Sequence, residues 1–402
     1  MTGPQPAELA SFFDQYVYPA EPVFAADGGT SQPGSLVLQE VSAAARRLGW
    51  WNLFSSVHPA HRELTPVRRA ELAEIVGRSP IIGQVALHSL NPDAAAIELL
   101  AALGSGPQRA RWLPGLLAGD ITSAYCMSEP DAASSSPGNL RARGERAPDG
   151  TVRVHGVKSW CTGATLGTCE LLIVLALTEP DAHPAGRYSL ILVRRDDPGV
   201  ALAGEHTVLG YSDTFRGGHP DIAFTAARGE LLGAPGTGLA AAQRVLGPAR
   251  MLHCMRLVGT AERALDLMCA RLGAREVRGQ SLAGNELWID RVGGARIAIE
   301  SMRALVRSMA IRPDSAVAES IVKAEVPVRV TEIVDLAIQA HGADGLSAPG
   351  ILADLYAHAR SLRISDGPDE VHRRVVGRHE LALVRTASRE GSGPVGHQAL
   401  TG

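Results

Sequence analysis

The strongest constraint on the fold is a change of hydrophobic period near residue 122 that reverses near residue 232. Between these points "TVRVHGV", "CELLIVLAL", "RYSLILVR" and "HPDIAF" are short, rich in β-branched residues and bounded by Gly, Pro and Asp, as strands are. No helical pattern separates them, so an antiparallel barrel or sandwich is expected. On both sides the period is that of helices. Leu38, Val41, Ala45 and Leu48 recur at helical spacing, and "DAAAIELLAALG" and "QRARWLPGLLAG" continue the pattern, with Gly104 and Gly119 as stops. Beyond Leu239 an apolar stripe runs through Leu287, Val292, Ile299, Met302 and Val306. A further helical stretch contains Pro327, which should kink it. The expected α+β organisation is a helical domain over 1–121, a β domain over 122–232, a helical bundle over 233–386 and a flexible tail over 387–402.

Composition narrows the functional classes. Of 402 residues, 45% are apolar and 20% charged, which suits a large packed core. A net charge of −3 leaves no electrostatic footprint for nucleic acid or an anionic membrane. The five cysteines, Cys126, Cys161, Cys169, Cys254 and Cys269, are odd in number and form no CxxC pair. That argues against a disulfide framework or a zinc site and for a reducing, cytoplasmic setting. The N-terminus has no basic stretch followed by an apolar run, so no signal peptide is expected. The run Leu171–Leu177 is far shorter than the roughly 20 residues a membrane span needs.

Several signals are discounted. "GTGLAA" (Gly236 to Ala241) fits a dinucleotide fingerprint, but no acid lies between Gly238 and Glu262 to hold a ribose. "SIVK" (Ser320 to Lys323) has Ser-x-x-Lys spacing without companion motifs and reads as solvated surface or core edge. His219 reads as a hydrogen-bonder in a turn. The remaining histidines form no HExxH, so no metal is expected.

"RISDGPDEVHRR" (Arg363 to Arg374) places Asp366, Asp369 and Glu370 around a Gly-Pro pair. Pro at the first helical position, Ser or Asp at the cap and acids in the first turn make a helix start. A buried carboxylate in the same place could equally take a proton. The segment alone leaves both readings open.

A family resemblance enters through longer stretches. "AYCMSEPDAASS" (Ala124–Ser135) resembles the Y-C-x-[ST]-E-P opening of the β domain in acyl-CoA dehydrogenases. "HGVKSWCTGA" (His155–Ala164) is similar to that family's N-G-x-K-x-W segment. "GYSDTFRGGHPDIAF", "LGPARMLHCMRLVG" and "SDGPDEVHRRVVGRHEL" look like the branch whose relatives are fused to kinase-like domains, though no room for such a partner is expected here. The resemblance runs in order from "DQYVYPAEPVF" to "GRHEL" and implies a C-terminal four-helix bundle.

It also implies FAD. Tyr125, Met127, Ser128 and Ser134 would lie along the flavin, with Ser134 also near the substrate. Trp160 and Thr162 would flank the ring from the other side. Hydroxyls can bond ring heteroatoms, and an indole can cover an aromatic face. Arg275 matches an arginine reaching the FAD pyrophosphate. With Gln339 and Gly342 it would serve a neighbouring subunit, which implies a homodimer or homotetramer. Pro368 and Glu370 fall at flavin-contacting positions, and Arg250 matches an arginine close to the base.

The family base is usually a Glu before Gly; here Asp366 precedes Gly367. The implied reaction is α,β-dehydrogenation of an acyl thioester to its 2-enoyl form. Asp366 would take the α-proton, the hydride would pass to flavin N5, and electrons would leave to an electron-transfer flavoprotein or similar acceptor. Gly367 would let the backbone approach the thioester, and burial should raise the Asp366 pKa. Three departures are present: aspartate is a methylene shorter than glutamate, Arg278 stands where an aromatic is common, and Ala343 replaces a glycine. A flavin monooxygenase on the same fold and a non-catalytic, FAD-free homologue are the alternatives.

Overall fold

In the computed structural model, the described residues are 3–26, 35–133, 137–210, 216–312, 315–347 and 351–389. The chain is α+β. Helices α1 (Pro6–Phe12) and α2 (Tyr18–Ala26) flank a π-helical turn at Phe13–Val17. Then come α3 (Leu36–Arg47), α4 (Pro66–Gly77), α5 (Ile82–Ala86), α6 (Asp93–Leu103) and α7 (Gly106–Ala118). Thr65 caps α4 ahead of Pro66, and Ser105 with Gln108 forms a capping box on α7. Gly104 and Gly119 stand at the C-caps of α6 and α7, where stops are expected. Leu9, Phe13, Val41, Leu53, Leu72 and Leu87 form the core of this part.

The strands are β1 (Thr122–Cys126), β2 (Arg143–Arg146), β3 (Thr151–Lys158), β4 (Cys169–Leu177), β5 (Tyr188–Arg194), β6 (Val200–His206) and β7 (His219–Leu232). Pairings β4–β2, β2–β3, β3–β7, β7–β5 and β5–β4 close on themselves, so the expected β unit is a barrel. Pairing is antiparallel except for β1 on β4 and one residue pair between β2 and β4. The apolar run in β4 follows from its position. Leu171, Ile173 and Leu175 pack outward against Ile97, Leu100, Trp112 and Leu116 of α6 and α7. Leu172, Val174 and Ala176 face the other way, onto Val152, Val154, Ile191 and Phe224. A strand buried on both faces needs no polar alternation.

Helix α8 (Gly238–Ala274) leads into a short hairpin of β8 (Glu276–Val277) and β9 (Gln280–Ser281). Helices α9 (Glu286–Ala310), α10 (Ala316–His341), α11 (Ile351–Ser361) and α12 (Asp369–Arg389) complete the bundle. Ile299, Met302 and Val306 enter its core with Val258, Leu265, Val326 and Val334. Leu287, the first residue of the expected stripe, instead lies exposed in the opening turn of α9. Helix α10 continues through Pro327. The "SIVK" segment corrects the surface reading: Ser320 and Lys323 are both buried. "GTGLAA" joins a strand of the antiparallel barrel to α8, without a βαβ unit. Among the described residues, no helix is long and apolar enough to cross a membrane.

Two contacts tie the three parts together. Helices α4 and α8 cross backbone to backbone: a Cβ on Gly77 would fall 1.7 Å from the Arg256 carbonyl oxygen, and one on Gly259 1.8 Å from that of Glu74. Asp93, the first residue of α6, accepts from the Ser123 amide (2.6 Å) and hydroxyl (2.7 Å) of β1.

Gly259→Ala is therefore expected to lower stability by about 1–3 kcal/mol, because neither backbone can yield cheaply. Denaturant unfolding measures this, and an unchanged midpoint would contradict the crossing. Asp93 gives a pH test. Burial raises its pKa to about 6 despite the two Ser123 bonds. Ionising it therefore costs folding free energy, a cost absent below its ordinary 3.8 and complete above about 6. Across this window Asp93→Asn should gain stability relative to wild type, on the order of 2 kcal/mol. Urea titrations at both ends of the window test it, and a constant difference would refute it.

Candidate active site

Asp366 lies in the turn between α11 and α12. It adopts φ +58° and Gly367 adopts φ +102°, two left-handed residues in succession. Aspartate tolerates this region; at the second position a Cβ would also meet His372 Nε2 at 2.8 Å, so glycine is required. Three helices hold the turn by its carbonyls. Arg250 Nε of α8 donates to the Asp366 carbonyl (3.0 Å), as does His372 Nε2 of α12 (3.2 Å). Lys323 Nζ of α10 donates to the carbonyls of Gly367 (3.1 Å) and Leu362. His372 Nδ1 faces the Ser320 hydroxyl at 3.2 Å. Burial, with the Lys323 charge, lowers the His372 pKa to about 4, so the ring stays neutral with Nε2 as donor.

The Asp366 carboxylate meets His253 Nδ1 at Oδ2, 3.1 Å away, and its side chain is 22% exposed. Burial pushes its pKa upward. The hydrogen bond from His253, with the charges of Lys323 and Arg250, outweighs this and holds the carboxyl below its ordinary value. The expected upward shift is thereby corrected: this donor and the cationic neighbours, not the apolar surroundings, dominate. Arg250 stands beside Asp366, and its contacts are the Asp366 carbonyl, Gln243 and Glu319. Asp369 is pinned to Arg363 (2.9 Å), and Glu370 is exposed in the first turn of α12.

On the barrel side, the Tyr125 hydroxyl at the end of β1 is shielded from solvent without a hydrogen-bond partner. Burial raises its pKa, with the negative charges of Cys126 and Asp366 adding to the effect. Met127 and Ser128 follow it. A buried ion pair fixes this segment: Lys158 Nζ reaches Glu129 Oε1 (2.8 Å) and the Met127 carbonyl (3.0 Å), with Lys158 fully buried. Glu129 also accepts the amides of Arg141 and Ala142. The Ser159 amide donates to the Ser128 carbonyl (2.9 Å). Trp160, at φ +58°, is 47% exposed and stacks on His206 at 4.6 Å and 10°. His206 is bonded to Asp221 at 2.8 Å, and Thr162 meets His219 Nδ1 at 2.8 Å. Ser134 lies outside the described residues.

Arg275, Gln339 and Gly342 are exposed at one end of the bundle, where Arg271 joins α8 to the His341 carbonyl and Asp344. Among the described residues, none of the three bonds to Asp366, Tyr125 or Trp160. Arg278 (φ +54°) and Gly279 (φ +76°) make the two-residue turn between β8 and β9. An unsatisfied buried phenol and a half-exposed indole are residue types that suit an aromatic, heteroatom-rich group, so the barrel residues fit a flavin.

Comparison with known proteins decides the family. Residues 124–224 match the acyl-CoA dehydrogenase middle domain, and residues 236–381 match the acyl-CoA dehydrogenase C-terminal domain. The chain belongs to the acyl-CoA dehydrogenase family. It is 38% identical over 388 residues to the Probable acyl-CoA dehydrogenase FadE2 of Mycobacterium tuberculosis, covering 93% of this chain and 94% of that protein. Acyl-CoA dehydrogenase family member 11 of Rattus norvegicus is also 38% identical, over 93% of this chain; the chain spans about half of that relative's length, 49%. A solved acyl-CoA dehydrogenase structure from Mycobacterium abscessus superposes with a TM-score of 0.89 at 36% identity, covering 96% of this chain and 100% of the other. Members of the family are oxidoreductases acting on CH–CH bonds and generally bind FAD. In this member the sequence reading missed His253, Lys323, His372 and the Lys158–Glu129 pair. His253 sits three residues after Arg250, one helical turn on and so on the same face, which was the available signal.

The ion pair yields a test. Lys158→Met leaves the Glu129 carboxylate buried without its cation and is expected to cost on the order of 3–5 kcal/mol. Lys158→Met/Glu129→Gln should recover part of the loss. Denaturant unfolding of both variants checks this, and a single-variant cost below about 1 kcal/mol would contradict it.

Proposed function

We propose that this acyl-CoA dehydrogenase family member is an FAD-dependent α,β-dehydrogenase of an acyl thioester, with Asp366 as the base that removes the α-proton. The observation that carries this reading is the state of the Asp366 carboxylate. One oxygen is engaged by His253; the other, Oδ1, has no hydrogen-bond partner among the described residues, on a backbone held from three helices. Such a group is anionic at neutral pH and fixed in direction, which is what abstraction from a weak carbon acid requires. Substrate binding strips the remaining water from the carboxylate and so raises its proton affinity when it is needed.

The amides of Asp366 and Gly367 also have no acceptor among the described residues. They are free to donate to the thioester carbonyl and to stabilise the charge that develops on it. Bound FAD supplies the acceptor for the β-hydride. Tyr125, Met127, Ser128, Trp160 and Thr162 would hold the flavin within one subunit, with Ser134, Pro368 and Glu370 completing its surroundings. Arg275, Gln339 and Gly342, exposed on the bundle end, would reach the cofactor of a neighbouring copy in a homodimer or homotetramer. Electrons would pass to an electron-transfer flavoprotein or similar acceptor in the cytoplasm. Arg250 would act on the substrate site through the turn it holds.

Asp366→Asn is expected to keep the fold and FAD while lowering anaerobic flavin reduction by acyl-CoA about 10³-fold. Stopped-flow bleaching of the flavin band measures it, and retained reduction would remove Asp366 from the base role. Bleaching of the wild type without oxygen also separates dehydrogenation from oxygen-dependent hydroxylation.

A further inference from the structure

Aspartate places its carboxylate a methylene closer to the backbone than glutamate does, so its aim has less tolerance. The carbonyl contacts of Arg250, His372 and Lys323 fix the main chain at 366 and 367, but they do not fix rotation of the carboxylate about its own bond. His253 Nδ1 is the one group among the described residues bonded to that carboxylate. Its other nitrogen, Nε2, lies 3.0 Å from Asn91 Nδ2. A carboxylate only accepts and an amide NH₂ only donates, so the ring between them carries its proton on Nδ1 and a lone pair on Nε2.

We propose that His253, oriented by Asn91, is the positioning residue of the base: it holds Oδ2 of Asp366 and turns Oδ1 toward the substrate α-carbon. This rests on the reading of Asp366 as the base. In the proton-transfer step the Cα–H bond breaks, its electron pair stays on the substrate, and the proton goes to Oδ1. His253 keeps its own proton throughout and passes from bonding an anion to bonding a neutral acid. The bond therefore favours the ionised, waiting form of the base. The other charged and titratable groups around Asp366 are Arg250 and Cys254 on α8, Lys323 and the Arg250 partner Glu319 on α10, His372 and, beside Lys323, Asp369 on α12, and Tyr125 on β1. Arg250, Lys323 and His372 are engaged with backbone carbonyls, and Asp369 with Arg363.

The test uses purified holoenzyme and straight-chain acyl-CoA thioesters, taking the one that bleaches wild-type flavin fastest. In His253→Ala the limiting rate constant for flavin reduction should fall about 10–100-fold, while the apparent Kd changes less than about threefold. The acidic midpoint of the rate profile should move to higher pH, because the anion has lost its donor. His253→Asn, whose amide nitrogen stands near the place of Nδ1, keeps a donor that does not titrate and should restore most of the rate. Asn91→Leu should lower the rate less than His253→Ala does. It should also remove the Nδ1-protonated signature of His253 in ¹⁵N-histidine NMR spectra of the enzyme.

A wild-type rate constant and midpoint in His253→Ala would overturn the proposal. So would a loss confined to thermal stability and flavin content, which is what a purely structural histidine would show. If His253→Ala does not fold, His253→Asn and Asn91→Leu decide: a wild-type rate and tautomer in Asn91→Leu, or no activity in a folded His253→Asn, also overturns it. Asp366→Asn run alongside separates the two levels. Retained reduction there defeats the base reading itself. Its loss, with His253→Ala behaving as wild type, defeats only the positioning role.

Discussion

Two consecutive carbonyls, those of Asp366 and Gly367, are the point on which the bundle converges. Arg250, Lys323 and His372 come from three different helices and spend their donors on this one turn. Burying Lys323 would be costly without such acceptors, and a left-handed pair of residues would be strained without such restraint. Each need answers the other. The cations are satisfied by backbone, not by the carboxylate, which leaves the Asp366 side chain charged and only singly bonded.

The barrel presents its half of the site by a different device. β4 divides its alternate side chains between two cores, one against α6 and α7 and one inside the barrel, so the strand cannot slip by a residue without exposing both sets. Parallel pairing of β1 on β4 then fixes where Tyr125 stands. The Lys158–Glu129 pair carries that order past the end of the strands into the loops bearing Met127, Ser128 and Trp160. Helices give the bundle side its precision, and one buried charge pair gives it to the barrel side.

Much of this was legible in the residues. The switch from period 3.6 to period 2 and back needs only apolar spacing, and helix α9 shows Ile299, Met302 and Val306 in the core as that spacing requires. Leu287 fails because its neighbour Trp288 is the residue of that first turn that packs on the bundle core, while Leu287 stays exposed, a choice that periodicity does not encode. The carboxylate cluster was readable as a mixture of helix start and something else, and the structure separates Asp366, Asp369 and Glu370 into three environments. What stayed hidden depends on contacts between residues far apart in sequence. Lys323 looks like surface until Leu362 and Gly367 bring their carbonyls to it, and His253 is a lone histidine until Asn91 and Asp366 take its two nitrogens.

The crossing at Gly77 and Gly259 has a mechanical meaning as well as a steric one. Helix α8 touches α4 there without side chains between them, and the same rigid rod carries His253 only six residues earlier, about 9 Å along its axis. The crossing is a fulcrum with almost no play. A tilt of α4 would therefore reach the helix that carries His253 through main-chain contact alone, with no side chain between to absorb it.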